Sequence, residues 1–267
     1  MKKTTILFLF LALGACKQGP TKEETQETVQ KEMTTTIPKF PEELTKVLNA
    51  HGGFGLWKNQ RTLRFDLPHP EFTETHTVDL RSRRDRVDNE QFSMGFDGKQ
   101  VWLWDPHENY QGDAGFYHNL MFYFYAMPFV LADDGIQYGD TDALMFDGKS
   151  YPGIRIAYDL GVGASSKDEY FIHYDPETHQ MAWLGYTVTY RTGEKSENVK
   201  WIRYDNWQSV EGLLLPKSIT WYNYEGSKIL DARDTVSFEN VILEQTAEPD
   251  DFYAKPEGAK SVEVKKS

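Results

Sequence analysis

The chain has 267 residues, with 29 Lys and Arg against 41 Asp and Glu (net charge −12), 39% apolar residues, 14% aromatic residues and one cysteine. That apolar fraction builds a core, which excludes wholesale disorder and collagen-like or coiled-coil compositions. The acidic balance makes the electrostatic part of nucleic-acid binding repulsive, and a single cysteine provides neither an intrachain disulfide nor a multi-cysteine zinc site.

Residues 1–15 have the pattern of a secretory leader: Lys2 and Lys3 at the charged start, an apolar stretch from Ile6 to Leu13, then small residues. The apolar run is too short to span a bilayer. At its end, Leu13-Gly14-Ala15-Cys16 resembles the lipobox of bacterial lipoproteins, and the sole cysteine stands at the acylated position. The resemblance implies that Cys16 becomes the mature amino terminus and carries a diacylglycerol on sulfur and a third acyl chain, of the palmitate type, on nitrogen. The alternative is a chance cysteine closing an ordinary leader or a short membrane segment. Removing Lys2 and Lys3 leaves 27 basic against 41 acidic residues, a balance of −14 that anionic lipid repels. Membrane association therefore falls to the anchor, and several acyl chains hold far more firmly than one. Lys17-Gln18-Gly19 places no Asp beside the cysteine, and so resembles lipoproteins sorted outward, here to the periplasmic face of the outer membrane. Residues 16–38 are rich in Gln, Glu, Lys and Thr and read as a disordered tether with a reach of roughly 25 Å.

The folded domain is expected over 39–258, with a flexible tail over 259–267. Pro38 to Glu43 opens a helix with carboxylates at its positive end, Leu44, Val47 and Leu48 share one face, and Gly52-Gly53 ends it. From Trp57 the apolar period becomes two, as in Leu63, Phe65 and Leu67 and then Val78 and Leu80, with turns at Pro68-His69-Pro70, Asp97-Gly98 and Asp105-Pro106. A second helical patch runs over about 115–130, where Phe116, Leu120, Phe124 and Met127 recur at helical spacing until Pro128 kinks or ends it. After Asp147-Gly148, strands are predicted over 153–158, 169–174, 182–190, 199–206, 214–224 and 229–241. Hairpin-length connections make the sheet antiparallel. Leu184, Tyr186, Val188 and Tyr190 oppose Met181 and Trp183, and Val101 and Leu103 oppose Trp102 and Trp104, so both faces of these strands are apolar and something must cover the second.

The short helix ending in a glycine pair, the strand Arg61-Thr62-Leu63-Arg64-Phe65, the turn Tyr174-Asp175-Pro176-Glu177-Thr178 and the strand entry Glu211-Gly212-Leu213-Leu214-Leu215-Pro216-Lys217 resemble the bacterial lipoprotein-localisation carrier and acceptor superfamily. The likeness extends over about 40–252. It implies a mainly β fold, a strongly curved antiparallel sheet or incomplete barrel, with helices covering the concave face and an apolar cavity that takes acyl chains. The helix at Leu44 and the patch from Phe116 to Met127 would serve as the lid. The chain departs from the soluble carriers by its own anchor and by a more aromatic interior.

Phe65, Trp102, Phe116, Leu120, Phe124, Met127, Trp183, Trp201 and Trp221 form the candidate apolar pocket, if they line a cavity rather than fill a core. Glu169, Phe171, His173 and Asp175 would share a strand face and bring a carboxylate beside an imidazole, or else serve as a turn and a wall residue. Glu74 and His76 alternate likewise, while Asp105-Pro106-His107 reads as a turn. Arg81, Arg83, Arg84 and Arg86 either meet a lipid phosphate or an acidic partner or are laced to Asp79, Asp85 and Asp88. No nucleophile elbow, zinc-protease motif, phosphate loop or dinucleotide fingerprint occurs. The sequence thus reads as a non-enzymatic, lipid-anchored binder or carrier of an apolar small molecule or lipid, with no catalytic or metal residue, no cofactor and no nucleic-acid partner assigned. Two alternatives stand beside it: an assembly lipoprotein that holds an envelope protein partner, and a hydrolase using His173 or His76.

Overall fold

The computed structural model describes residues 40–158, 168–188 and 198–264. The expected leader, Cys16 and the expected tether lie outside the described residues. Helix α1 (Glu42–Ala50) starts after Pro41, with Glu42 and Glu43 in its first turn, and buries Leu44, Val47 and Leu48. Its end is dictated by Gly52 at φ 99°, where a Cβ would sit 2.4 Å from the Gly212 carbonyl oxygen. A second helix, α2 (Phe54–Asn59), follows at once and buries Phe54 and Trp57. The sequence reading starts a strand at Trp57 instead, because six residues are too few to display a helical period.

The fold is mainly β and antiparallel, as expected, and is not closed into a barrel. One seven-stranded sheet contains β1 (Thr62–Pro68), β2 (Thr73–Asp79), β3 (Asp85–Asp88), β4 (Ser93–Phe96), β5 (Val101–Trp104), β15 (Glu239–Glu244) and β16 (Lys260–Val262), in the order β15-β1-β2-β3-β4-β5-β16. A second contains β6 (Ile136–Asp140), β9 (Gly153–Tyr158), β10 (Tyr170–Tyr174), β11 (Met181–Tyr186), β12 (Lys200–Val210), β13 (Leu213–Glu225) and β14 (Lys228–Ser237), in the order β14-β13-β12-β11-β10-β9-β6. The predicted strand over 229–241 is two strands. The chain leaves the second sheet at Ser237 and enters the first at Glu239, with Phe238 buried between them and its N–H donated to the Lys217 carbonyl. Lys260–Val262 pair with β5, where the sequence reading has a flexible tail.

The helical patch divides into α3 (Ala114–Tyr117), α4 (Leu120–Tyr125) and a single 3-10 turn (Phe129–Ala132). Asp113 caps α3 by accepting from the Phe116 N–H. This segment lies against the inner faces of the sheets. Its Met121, Phe122, Phe124, Tyr125, Phe129 and Leu131 join one core with Leu63, Phe65 and Leu67 from the first sheet and Ile156, Ile172, Leu184 and Ile202 from the second. Tyr125 packs at 4.6 Å from the Phe65 ring and 4.5 Å from that of Phe238. The second sheet also holds the segment's backbone: the Tyr204 hydroxyl donates to the Phe124 carbonyl (2.8 Å), and that of Tyr138 donates to Leu131 (2.7 Å).

The second apolar face predicted for these strands has a cover on each sheet. On the second sheet it is the hairpin of β7 (Leu144–Phe146) and β8 (Lys149–Tyr151), whose Phe146 meets Trp183 at 4.6 Å and Tyr222 at 5.8 Å. Arg203 closes that layer, its guanidinium 4.8 Å from the Trp183 ring and 5.2 Å from that of Tyr151. On the first sheet the cover is the stretch around Phe252 and Tyr253. The Trp102 indole donates to the Tyr253 carbonyl (3.2 Å), and Arg86 stacks on both Trp102 and Phe252.

Candidate functional site

Strand alternation puts Tyr158, Tyr170 and Tyr186 on the inner face of the second sheet, since Tyr170 is in register with Tyr186 and Ile156 with Tyr170. Their rings, with two more, make a continuous ladder. Tyr158 meets Tyr170 edge-on at 5.6 Å, Tyr170 stacks on Tyr186 at 6.4 Å, Tyr186 meets Phe124 of α4 at 5.5 Å, and Phe124 meets Trp221 edge-on at 5.6 Å. The Trp221 indole donates to the Tyr186 hydroxyl (3.2 Å), which fixes the two rings relative to each other. Phe124 and Tyr186 are buried, whereas Tyr158, Tyr170 and Trp221 are only half-buried. Burial, followed by the neighbouring tyrosines and acids, pushes the Tyr158 and Tyr170 hydroxyls above the usual phenol range, so the ladder is uncharged at neutral pH. Its chemistry is that of an apolar surface with hydroxyl tips.

The nine candidate pocket residues are divided among the faces. Phe65, Phe124 and Met127 are buried in the core between the sheets, and Leu120 and Trp221 pack against it. Trp183 and Trp201 lie on the other face of the second sheet, in a separate cluster with Tyr151. Trp102 faces away from Leu103 and Met94 and packs on Tyr253; Phe116 is half-buried on α3. Leu184 is in the core with Phe65 and Phe124, so its neighbour Trp183, on the other side of the same strand, points away from them. Two surface pockets, of 240 and 480 Å³, are lined by none of the nine.

Beneath α3 lies a buried polar network. Glu74 and His76, both on the inner face of β2, stand opposite Leu67 and Phe65 of β1. The Glu74 carboxylate accepts from the Tyr117 hydroxyl (2.6 Å) and lies 3.2 Å from His76 Nε2 and 3.4 Å from His69 Nε2. Burial pushes this carboxyl up, yet the bonds from His76 and Tyr117 and the His76 and His69 charges outweigh it and hold the group below its ordinary value. His118, just after α3, places Nδ1 2.8 and 3.0 Å from the two oxygens of Asp85, whose pKa burial raises in spite of that partner. These contacts fasten α3 to the first sheet. The His76 ring is 1% exposed and stacks on Phe65, so it has no open approach for a substrate.

His173 is also a wall residue. It is buried, its Nδ1 is 3.2 Å from the Tyr151 carbonyl, and burial lowers its pKa to about 4. Glu169 pairs with Arg155 (2.8 Å), and Asp175 accepts from the Glu177 and Thr178 amides of its turn, with Lys149 at 2.5 Å. Of the two readings of these residues, the turn and the wall residue are what the contacts show, with His173 bonded to the Tyr151 carbonyl and Asp175 to its own turn. Among the described residues, no group of three or more His, Cys, Asp or Glu side chains is placed to hold a metal ion. The arginine run is laced: Arg83 to Asp133 (2.6 Å), Arg84 to Asp250 (3.3 Å) and Asp79 (3.8 Å), and Arg86 to Asp88 (2.8 Å).

The model of a family of unknown function, DUF6503, matches residues 72–236, more than half of the chain. The chain belongs to that family. In this DUF6503 member the matched span begins just before β2, ends in β14, and contains the ring ladder and all of the polar network except His69. No curated protein matches it in sequence. Among solved structures it is similar to a LolA superfamily protein from Nitrosomonas europaea, at 9% identity and TM-score 0.45 over 73% of this chain and 89% of the other. It is also similar to a putative outer membrane lipoprotein-sorting protein domain from Vibrio parahaemolyticus, at 10% identity and TM-score 0.40 over 76% and 97%. A third likeness is to a DUF1329 family protein from Desulfovibrio piger, at 10% identity and TM-score 0.42 over 76% and 93%.

Proposed function

We propose that this chain is an envelope lipoprotein, anchored through acylated Cys16 at the periplasmic face of the outer membrane, that binds an apolar ligand of the acyl-chain class without catalysing a reaction. The observation that supports this is the ring ladder. Five aromatic rings, four from the second sheet and Phe124 from α4, form a row along the inner face of that sheet, and three of them are only half-buried. An acyl chain laid along them recovers about 0.8 kcal/mol per buried methylene, and the rings lose little rotamer freedom on binding. Deeper entry requires α4 to withdraw, because Phe122, Phe124 and Tyr125 occupy the space between the sheets.

The test is quenching of tryptophan fluorescence by a brominated fatty acid. Tyr170→Ala and Trp221→Ala weaken binding at least several-fold, whereas Phe146→Ala, in the β7–β8 hairpin that covers the other face of the sheet, leaves it unchanged. Trp221→Ala removes one reporter, so its affinity is read by competition with a fluorescent fatty acid. Equal binding by all three variants contradicts the proposal.

A further inference from the structure

Strand β15 is an edge. It pairs with β1 on one side, and among the described residues it has no strand on the other. The pairing with β1 is irregular between Arg64 and Asp66, opposite the Asn240 end, and regular from Ile242 to Glu244. Beside that regular stretch lies a groove of 480 Å³ lined by the consecutive residues Val241 to Thr246, by Val210 and Glu211 at the β12–β13 turn, and by Gln60. Side chains of one face alternate along a strand, so a groove lined by consecutive residues exposes the strand's backbone edge. Its apolar lining is Val210, Val241, Ile242 and the buried Leu243, with Ile242 43% exposed, and its charged lining is Glu211 and Glu244, both exposed. No basic residue lines it; Arg64, in register with Ile242, is on β1, across β15 from the groove. Edge strands that must stay alone are guarded by charged side chains, lysine above all, by bulges or by a covering segment. The β14 edge has such guards in Lys228, Arg233, Asp231 and Asp234, whereas on β15 the irregular pairing lies at the Asn240 end and the Ile242–Glu244 stretch carries a single charge, Glu244, and no lysine or arginine.

From this seam between the two sheets we propose a docking site for an extended, basic protein segment, which adds as a strand to β15. Its backbone pairs with the free edge, alternate apolar side chains rest on Val210 and Val241, and its lysines or arginines face Glu211 and Glu244. The six residues of β15 match a segment about 20 Å long. This site is separate from the ring ladder and independent of what the ladder binds.

The experiment uses the purified full chain and a fluorescent, end-blocked decapeptide of alternating Lys and Val, read by anisotropy, with amide hydrogen exchange as a second readout. The expected result is binding that slows exchange over residues 239–246, weakens about 3- to 10-fold in the Glu211→Lys, Glu244→Lys double variant, and is lost when alternate peptide amides are N-methylated. The double variant then prefers the Glu–Val counterpart. Equal affinity for the two peptides in the unmodified chain, unchanged affinity in the double variant, or protection elsewhere overturns the proposal. So does a dimer of the chain joined through β15, which gives the edge to a second copy.

Discussion

His51 gives the sharpest energetic prediction. It follows α1, is fully buried, and joins three elements: its Nδ1 lies 3.0 Å from the Leu214 carbonyl on β13, and its Nε2 accepts the Met181 N–H of β11 at 3.0 Å. Both bonds form only in the neutral ring with its proton on Nδ1, since an imidazolium would turn Nε2 into a donor facing a donor. Burial lowers its pKa from 6.5 to about 4, against the small upward pull of the Leu214 carbonyl. The unfolded chain therefore takes up a proton that the folded chain refuses as pH falls from 6.5 towards 4. Stability from this group is fully present above pH 6.5 and is lost on acidification, at up to about 1.4 kcal/mol per pH unit. By pH 5 the loss is about 2 kcal/mol relative to pH 7. The assay is urea unfolding of the chain and of His51→Gln at pH 7, 6 and 5. The variant is less stable at pH 7, and the gap between the two narrows by about 2 kcal/mol at pH 5. His173, with the same depressed pKa, and Asp85, with a raised one, act equally in both proteins and cancel. Parallel stability profiles would refute the neutral bridging role.

Further outcomes follow from the same geometry. Gly52→Ala places a Cβ 2.4 Å from the Gly212 oxygen at φ 99°, and should cost at least about 2 kcal/mol in chemical denaturation. Tyr117→Phe removes the 2.6 Å donor to buried Glu74 and should cost about 1.5–3 kcal/mol, with faster amide exchange in α3 as its local signature. Asp175, held at about pKa 2 chiefly by Lys149, contributes stability above its unfolded value of 3.8 that is lost as pH falls through 2; Asp175→Asn should flatten the acid limb of an unfolding curve there.

Strand positions and turns were largely legible because period-two alternation and Asp-Gly or Asp-Pro turns are local signals. Thus Gly153–Tyr158 and Leu213–Glu225 appear close to where the pattern put them. The helical patch was legible as helical but not as three pieces, because the same spacing of Phe116, Leu120 and Phe124 fits one helix or several short ones. The short strands β6, β7 and β8 were missed; with three to five residues each they show no usable period. For the site, the face assignments of Leu184 and Tyr186 against Trp183 were readable from alternation alone. Pooling Trp183, Trp201 and Trp102 with Phe124 ignored that alternation, and what covers each outer face depends on contacts as distant in sequence as Phe146 with Tyr222 and Trp102 with Tyr253. The tyrosines of the ladder were visible as strand residues, but their adjacency depends on the register between β9, β10 and β11. The union of Glu74, Tyr117, Asp85 and His118 depends on where α3 lands, which no spacing in the chain specifies.

The most direct test of apolar-ligand binding is native mass spectrometry of the 36–267 domain, expressed without Cys16 in a lipid-containing host and then extracted with solvent. The expected result is a discrete added mass that extracts as a lipid and is diminished in Tyr170→Ala and Trp221→Ala. A clean ligand-free mass, unchanged when fatty acid is added, would contradict it.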